Sequence, residues 1–379
     1  MKTLAIAPRG DLMHKPHTCP NLLTALAFLL IFCVSPGFCA PLRVGVIQAL
    51  SGDGANPGIS FNNGFSLAIE QFDDIQRSSI EFIFEDDQMS PKNTLTAYKR
   101  LRSLHDIKAV VTFSSGTSNA LAPITESDGI PHIAVGSDPA ISNDRKFVMN
   151  FMTMPDVEMR LMVATALERG YRRIARISTV QEGTLALREA FDTANAGRME
   201  IVLDEEYAHD QRDFRPFINK LKRLEKVDGV FANFLFGQAG VFSRQLREAG
   251  VKLQLFSHHC FEDPGELKIS NGALLGAWYV NPDSPSDEFL KSYQLKFPDQ
   301  PVSFAGYGYD LSMLLSSAAI ENKSPLEINK FLHSVKDFKG VLGTYSADKT
   351  AFTLPAVLKM ITEAGFIRIS AEAVSGPSR

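Results

Sequence analysis

From Arg43 onward the sequence predicts an α/β fold built from parallel sheets with helices on both faces. Short Val/Ile-rich runs alternate with amphipathic stretches at helical spacing. Strands that alternate with helices in this way form parallel sheets covered on both sides. The alternation is interrupted near Phe147–Pro155 and again near Trp278–Pro285, about 130 residues apart, which fits a chain that leaves one sheet, builds a second and returns to the first.

In chain order, Val44–Ala49 reads as the first strand and Asn62–Phe72 as the first helix. Ile80–Glu85 is the next strand, and Ser90-Pro91 announces the helix Thr94–Leu104. Ala109–Phe113 and His132–Val135 complete the first series of strands. After the first interruption come strand and helix in turn: Ile174–Ile177, Leu185–Ala194, Ile201–Glu205, Phe214–Leu224, Gly229–Asn233, Val241–Ala249 and Leu253–Ser257. A helix at Met159–Arg169 precedes them. Gly170 and Gly250 are stop signals behind two of these helices. The tail, Phe338–Ser370, has strand-like ends at Ala356–Ile361 and Phe366–Ile369, so it crosses between the sheets once more. The expected layout is residues 1–40 as a signal segment, 41–152 with 281–350 as one lobe, and 153–280 with 351–379 as the other. Several crossings make a hinge rather than a loose tether.

The apolar run Leu22–Ala40, preceded by Lys15 and ended by small residues, is too short to span a bilayer comfortably and reads as a cleaved secretory signal. Met13 offers an alternative start that would leave an ordinary charged leader. Cleavage after Cys39 or after Ala40 fits, so the mature chain is expected to begin near Ala40 or Pro41 and to be periplasmic. Lipid attachment at Cys33 or Cys39 needs small residues just before the cysteine, where Phe32 and Phe38 stand.

Of the four cysteines only Cys260 lies beyond the leader, so an internal disulfide framework is excluded and stability must come from core burial. With 45% hydrophobic and 22% charged residues the composition is that of a globular protein. A formal charge of −4 gives no general electrostatic reason to bind nucleic acid or an anionic membrane.

Several segments invite a chemical reading. The glycines of the loop Ser51–Gly58 are spaced GxGxxxG rather than GxGxxG, and Asp53 would oppose a pyrophosphate, so no nucleotide cofactor is expected there. Glu85-Asp86-Asp87 closes a strand, where acids are more often solvated than functional. The cluster Ser114–Asn119 follows the third strand and opens a helix; its hydroxyls and N–H groups suit an anion, and an ordinary N-cap explains it equally well. His258-His259-Cys260 looks like a metal cluster, yet neighbours in an extended segment point to opposite sides. No metal is therefore expected, with one histidine facing the cleft between lobes. GxSxG, Walker, HExxH and CxxC patterns are absent beyond the leader, and nothing in the sequence argues for an enzyme.

The ordered set Arg43-Val44-Gly45-Val46-Ile47, Leu50-Ser51-Gly52, Glu85-Asp86-Asp87, Ser90-Pro91-Lys92, Ser114–Ser118 and Asp128-Gly129-Ile130-Pro131 resembles the type I periplasmic solute-binding proteins of branched-chain amino acid (Leu/Ile/Val-binding) ABC transporters. Gly306-Tyr307-Gly308-Tyr309-Asp310 and Phe338–Gly343 extend the likeness over nearly the whole chain after the leader. The resemblance implies a two-lobed type I fold with a three-strand hinge, closing on a small polar or carboxylate ligand and, as a monomer, delivering it to an inner-membrane permease. A sensor for a membrane kinase or chemoreceptor would use the same clamshell.

By the same resemblance the ligand contacts are Ser115, Thr117, Ser118, Ser137 and Asp138 on one lobe, and Gln181, Phe236 and His259 on the other. Asp138 stands about where relatives have a threonine and would repel a ligand carboxylate. Gln181, Phe236 and His259 replace the tyrosine and acid that hold an ammonium, so a branched-chain amino acid is not the expected ligand. A one-residue gap would bring Glu262 into the place of His259.

Overall fold

The computed structural model describes residues 40–370 apart from residues 53, 322, 323 and 353. The leader reading for residues 1–39, the charge argument at Asp53 and the tail beyond residue 370 lie outside them. The strands are, in order, β1 (Leu42–Gln48), β2 (Ile80–Asp86), β3 (Ala109–Phe113), β4 (His132–Val135) and β5 (Val148–Asn150). Next come β6 (Arg173–Thr179), β7 (Glu200–Tyr207), β8 (Gly229–Asn233), β9 (Gln254–Ser257) and β10 (Trp278–Asn281). Near the end follow β11 (Phe338–Gly340), β12 (Gly343–Tyr345), β13 (Ala347–Asp348), β14 (Ala351–Phe352), β15 (Val357–Thr362) and β16 (Gly365–Arg368).

Two seven-stranded sheets result, in the orders β13-β14-β5-β4-β3-β1-β2 and β16-β15-β10-β9-β8-β6-β7. β1 to β5 pair in parallel, as do β6 to β10. Antiparallel pairs are confined to the late strands at one edge of each sheet. The chain passes between the sheets after β5, after β10 and after β14, which are the three crossings of a two-lobed fold. Ala351 pairs with Asn150, so the third crossing follows Phe352 rather than residue 350.

Both interruptions seen in the sequence contain a short strand, β5 and β10, directly before a crossing. They escape a periodicity reading because β5 has three residues and β10 four. The first helix runs from Ala55 to Glu70, one and a half to two turns earlier than its apolar pattern suggests. Its opening turns read Asn-Pro-Gly-Ile-Ser, composition that signals a loop. Pro57 is tolerated because first-turn N–H groups lack helical partners anyway. Gly58 is required by proximity: a Cβ there would stand 1.7 Å from the carbonyl oxygen of Ala49, at the end of the first strand.

The same helix packs against the helix Ala305–Glu321 with backbone nearly touching backbone. A Cβ on Gly64 would lie 1.9 Å from Ala305 O, and one on Gly308 would lie 2.0 Å from Phe61 O. Gly308, which carries part of the resemblance, thus serves close helix contact, while Gly306 makes room for Leu342 and Tyr307 packs against Phe151 and Phe304. Asp310 on that helix turns its carboxylate to the N–H groups of Val341 and Leu342 at 2.7 and 3.1 Å, tying the late β11–β12 hairpin down. Gly64→Ala is expected to destabilise the protein by at least about 1–3 kcal/mol through overpacking. An unchanged urea midpoint would contradict this contact.

Candidate functional site in the interlobe cavity

In parallel sheets every strand ends at the same edge, and ligands sit beside the strand ends where the order reverses. Here the order reverses between β1 and β3 in one sheet and between β6 and β8 in the other. The loops behind β3, β4, β6, β8 and β9 meet around a cavity of about 40 Å³, a few times the 10–15 Å³ that one water needs. Phe113, Ser115, Ser137 and Phe304 line it from one lobe; Gln181, Phe236, His258, His259 and Cys260 line it from the other.

The lobes touch around this space. A Cβ on Gly183, in the first turn of the helix Glu182–Asn195, would lie 2.8 Å from Ser137 Oγ and 2.9 Å from Ser115 Oγ. A Cβ on Gly116 would come within 3.0 Å of Glu182 Oε2, and one on Gly265 within 3.0 Å of Asn56 Nδ2. The clamshell is therefore closed.

Ser114 sits just behind β3 with φ of 95°, a conformation L-residues avoid and one that concentrates at functional positions. It is held there by its N–H, which donates to Val135 O at 2.9 Å. The helix Ser115–Asp128 then begins with no side chain capping its N–H groups, because Ser114 Oγ pairs with Thr117 Oγ1 at 2.9 Å instead. Ser115 Oγ accepts from the N–H groups of Ser137 and Asp138 at 3.1 and 3.2 Å. With both lone pairs used, its own proton remains for an acceptor in the cavity.

Thr117 and Ser118 do not line the cavity. Thr117 Oγ1 donates to Phe113 O at 2.8 Å. Ser118 Oγ lies 2.6 Å from Thr112 Oγ1, whose other neighbour is His132 Nε2 at 2.7 Å. Burial pushes the His132 imidazole down to about 3, so this network works with a neutral ring. These hydroxyls brace the loop from beneath because helical spacing turns them into the lobe.

Asp138 also departs from its expected place. Its carboxylate accepts from Asn119 Nδ2 at 2.5 Å and from Ala140 N at 2.9 Å, and it lines a separate outer groove. It caps the short turn Pro139–Ile141 rather than facing a ligand carboxylate. Glu262 is likewise occupied, bound by Lys359 Nζ at 2.8 Å and Asn281 Nδ2 at 2.7 Å, which fastens the returning strand β15. Among the described residues no acid lines the cavity.

On the second lobe, Gln181 caps the helix Glu182–Asn195 through Oε1, accepting from Gly183 N at 2.9 Å. Its Nε2 is left on the cleft side, 3.3 Å from a Cβ placed on Gly116 across the gap. Phe236 reaches across the cleft to Phe304, with ring centroids 5.9 Å apart and edge to face, and Phe304 in turn meets Phe113 at 5.0 Å. The loop carrying Phe236 is anchored by Glu266, which accepts from Gly237 N and from Gly240 N, the latter at 2.6 Å. Burial raises that carboxyl to about 7 despite both bonds.

His258, His259 and Cys260 all line the cavity, and their donor atoms lie within 4.8 Å of one another. The expectation that these side chains diverge is overturned by the tight turn His259–Phe261, which ends the extended backbone at His258. Behind them, Glu158 is fully buried, with neither carboxylate oxygen hydrogen-bonded and His259 Nδ1 3.8 Å away. Glu158, Phe304 and Met89 went unnoticed in the sequence, since Glu158 lies within a helix, Phe304 just before one, and Met89 in the loop behind β2, which carried no ligand reading.

The family described as periplasmic binding protein matches residues 41–357. Three solved structures illustrate the likeness of fold. The leucine-binding protein LivK of Thermotoga maritima is 18% identical with a TM-score of 0.81, over 87% of this chain and 98% of that one. The branched-chain amino acid binding protein LivJ of Streptococcus pneumoniae, in complex with isoleucine, is 20% identical with a TM-score of 0.77, over 87% and 100%. A solute-binding protein of an ABC transporter from Rhodopseudomonas palustris, in complex with 3,4-dihydroxybenzoic acid, is 21% identical with a TM-score of 0.77, over 87% and 96%. No curated protein matches the sequence.

A bulky side chain at Gly183 is expected to wedge the lobes apart while leaving each lobe folded. Gly183→Val should show a larger radius of gyration than the wild type by small-angle scattering, with the same far-ultraviolet dichroism. Superimposable scattering curves would mean that Gly183 does not meet the opposite lobe.

Proposed function

The chain belongs to the periplasmic binding protein family, and on that premise we propose that it is the substrate-binding component of an ABC importer, working in the periplasm and handing its ligand to an inner-membrane permease. The observation that carries this reading is a cavity walled by loops from both lobes. A ligand held there contacts both lobes only when they are closed, so binding shifts the hinge equilibrium by the difference in affinity, and the closed shape is what a permease can recognise.

The lining supports a small carboxylate with an apolar or aromatic body and no ammonium. Phe113, Phe236 and Phe304 supply apolar walls. The free proton of Ser115 and the uncapped N–H groups of its helix suit an anion. An ammonium would find no acid along the wall and would be buried without a counter-ion. Ser115, Ser137, Gln181, Phe236 and His259 are the residues we assign to ligand contact; Thr117, Ser118 and Asp138 are assigned to supporting the loops.

Native mass spectrometry of protein purified without denaturation should reveal a co-purified small acid, and calorimetry should favour benzoate or 3,4-dihydroxybenzoate over leucine, isoleucine and valine. Submicromolar affinity for any of the three amino acids would refute the ligand class. Ser115→Ala should weaken binding by about 1.5–3 kcal/mol if the ligand group is charged. By contrast, Ser118→Ala should lower unfolding stability by about 1–3 kcal/mol through the partners it leaves buried. The reverse pattern would return Ser118 to the binding surface.

A further inference from the structure

Buried polar atoms without partners are rare and call for an explanation, because each costs about 1–3 kcal/mol when left unpaired. In the wall of the interlobe cavity and directly behind it several occur together. His258 is fully buried, and neither of its ring nitrogens has a hydrogen-bond partner. His259 Nδ1 and both oxygens of Glu158 are in the same state. Cys260 is 1% exposed. The rings of His258 and His259 stand edge to face with centroids 4.6 Å apart. The 3.8 Å between His259 Nδ1 and Glu158 is too long for a hydrogen bond.

We propose that His258, His259 and Cys260 form a binding site for a borderline-soft divalent cation of the zinc type, with Glu158 as the buried carboxylate beside it. Two imidazoles and a thiolate are the donor set such ions prefer over magnesium or calcium, which take oxygen ligands. The donor atoms, within 4.8 Å of one another, need only a small contraction to surround one ion. Charge balances without help from solvent: thiolate and carboxylate together neutralise a dication, and the thiol proton leaves to water as the metal binds. Glu158 stands next to His259 as carboxylates commonly stand behind a coordinating histidine, where they fix the ring and raise its basicity. The ion reaches the site when the lobes open, since all three residues line the cavity. This site shares His259 and the cavity wall with the ligand contacts assigned above, and its test reads metal binding alone.

The exported protein with its leader removed, stripped with a chelator, would be titrated with Zn²⁺ by calorimetry and with Co²⁺ by absorption. One equivalent of either ion is expected to bind, and Co²⁺ should give thiolate-to-metal charge-transfer absorption in the near ultraviolet. C260S should lose that absorption, and H258Q or E158Q should weaken Zn²⁺ binding about 10–100-fold. H105Q, at a histidine outside the cluster, should bind as the wild type does. Failure of the wild-type chain to bind one equivalent overturns the proposal, whatever the variants do. So does charge-transfer absorption that survives C260S in folded protein, since Cys260 is the one cysteine beyond the leader and the band would then not report its thiolate. Zn²⁺ affinity unchanged in both H258Q and E158Q is equally fatal to it.

Discussion

The site depends on one constraint of parallel β-structure: all strands of a sheet end on the same side, so their following loops are gathered along one edge. Two such sheets, joined by three crossings, bring those edges together. Ser115 behind β3, Ser137 behind β4, Gln181 behind β6, Phe236 behind β8 and His259 behind β9 are spread over some 145 residues of sequence yet surround one cavity. A strand that ran the other way would carry its following loop to the opposite edge, away from the others.

Around that edge the chain divides labour between groups that face the cavity and groups that hold them there. Ser115 faces it while its oxygen accepts the N–H groups of Ser137 and Asp138, so one hydroxyl ties two loops together and still presents a donor. Beneath it, the hydroxyls of Thr112 and Ser118 with the neutral His132 ring satisfy one another, and Thr117 donates to the Phe113 carbonyl. Glu266 does the corresponding work for the Phe236 loop. The strained backbone at Ser114 is affordable because β4 and the helix start constrain it from both sides.

Glycine at the meeting surfaces sets how far closure can go. Gly183 lies against two serine hydroxyls of the opposite lobe, and any side chain there would hold the lobes apart. The resulting cavity is small and lined largely by aromatic, thioether and aliphatic groups, with a few donors at its rim. Satisfied networks surround most of it. In the buried cluster of Glu158, His258, His259 and Cys260, by contrast, neither Glu158 oxygen, neither His258 ring nitrogen nor His259 Nδ1 has a hydrogen-bond partner.

Periodicity alone made the two-sheet fold legible, because buried parallel strands and their covering helices write distinct patterns into Val/Ile runs and helical spacing. The resemblance also pointed to the loops behind β3, β4, β6, β8 and β9, which the structure gathers around one cavity, and the cysteine count excluded a disulfide framework. It could not say which hydroxyl in Ser114–Ser118 faces the cavity, because that depends on where the helix begins and how β3 directs it: Ser115 turned outward, Thr117 and Ser118 inward. Nor could it place Asp138, whose carboxylate follows a turn formed only once Asn119 stands beside it. For His258-His259-Cys260 an extended backbone was the natural assumption, and only the tight turn behind β9 brings the three donors together. Local patterns determined which segments would lie at the strand ends; the direction each side chain takes there was decided by contacts between residues far apart in the chain.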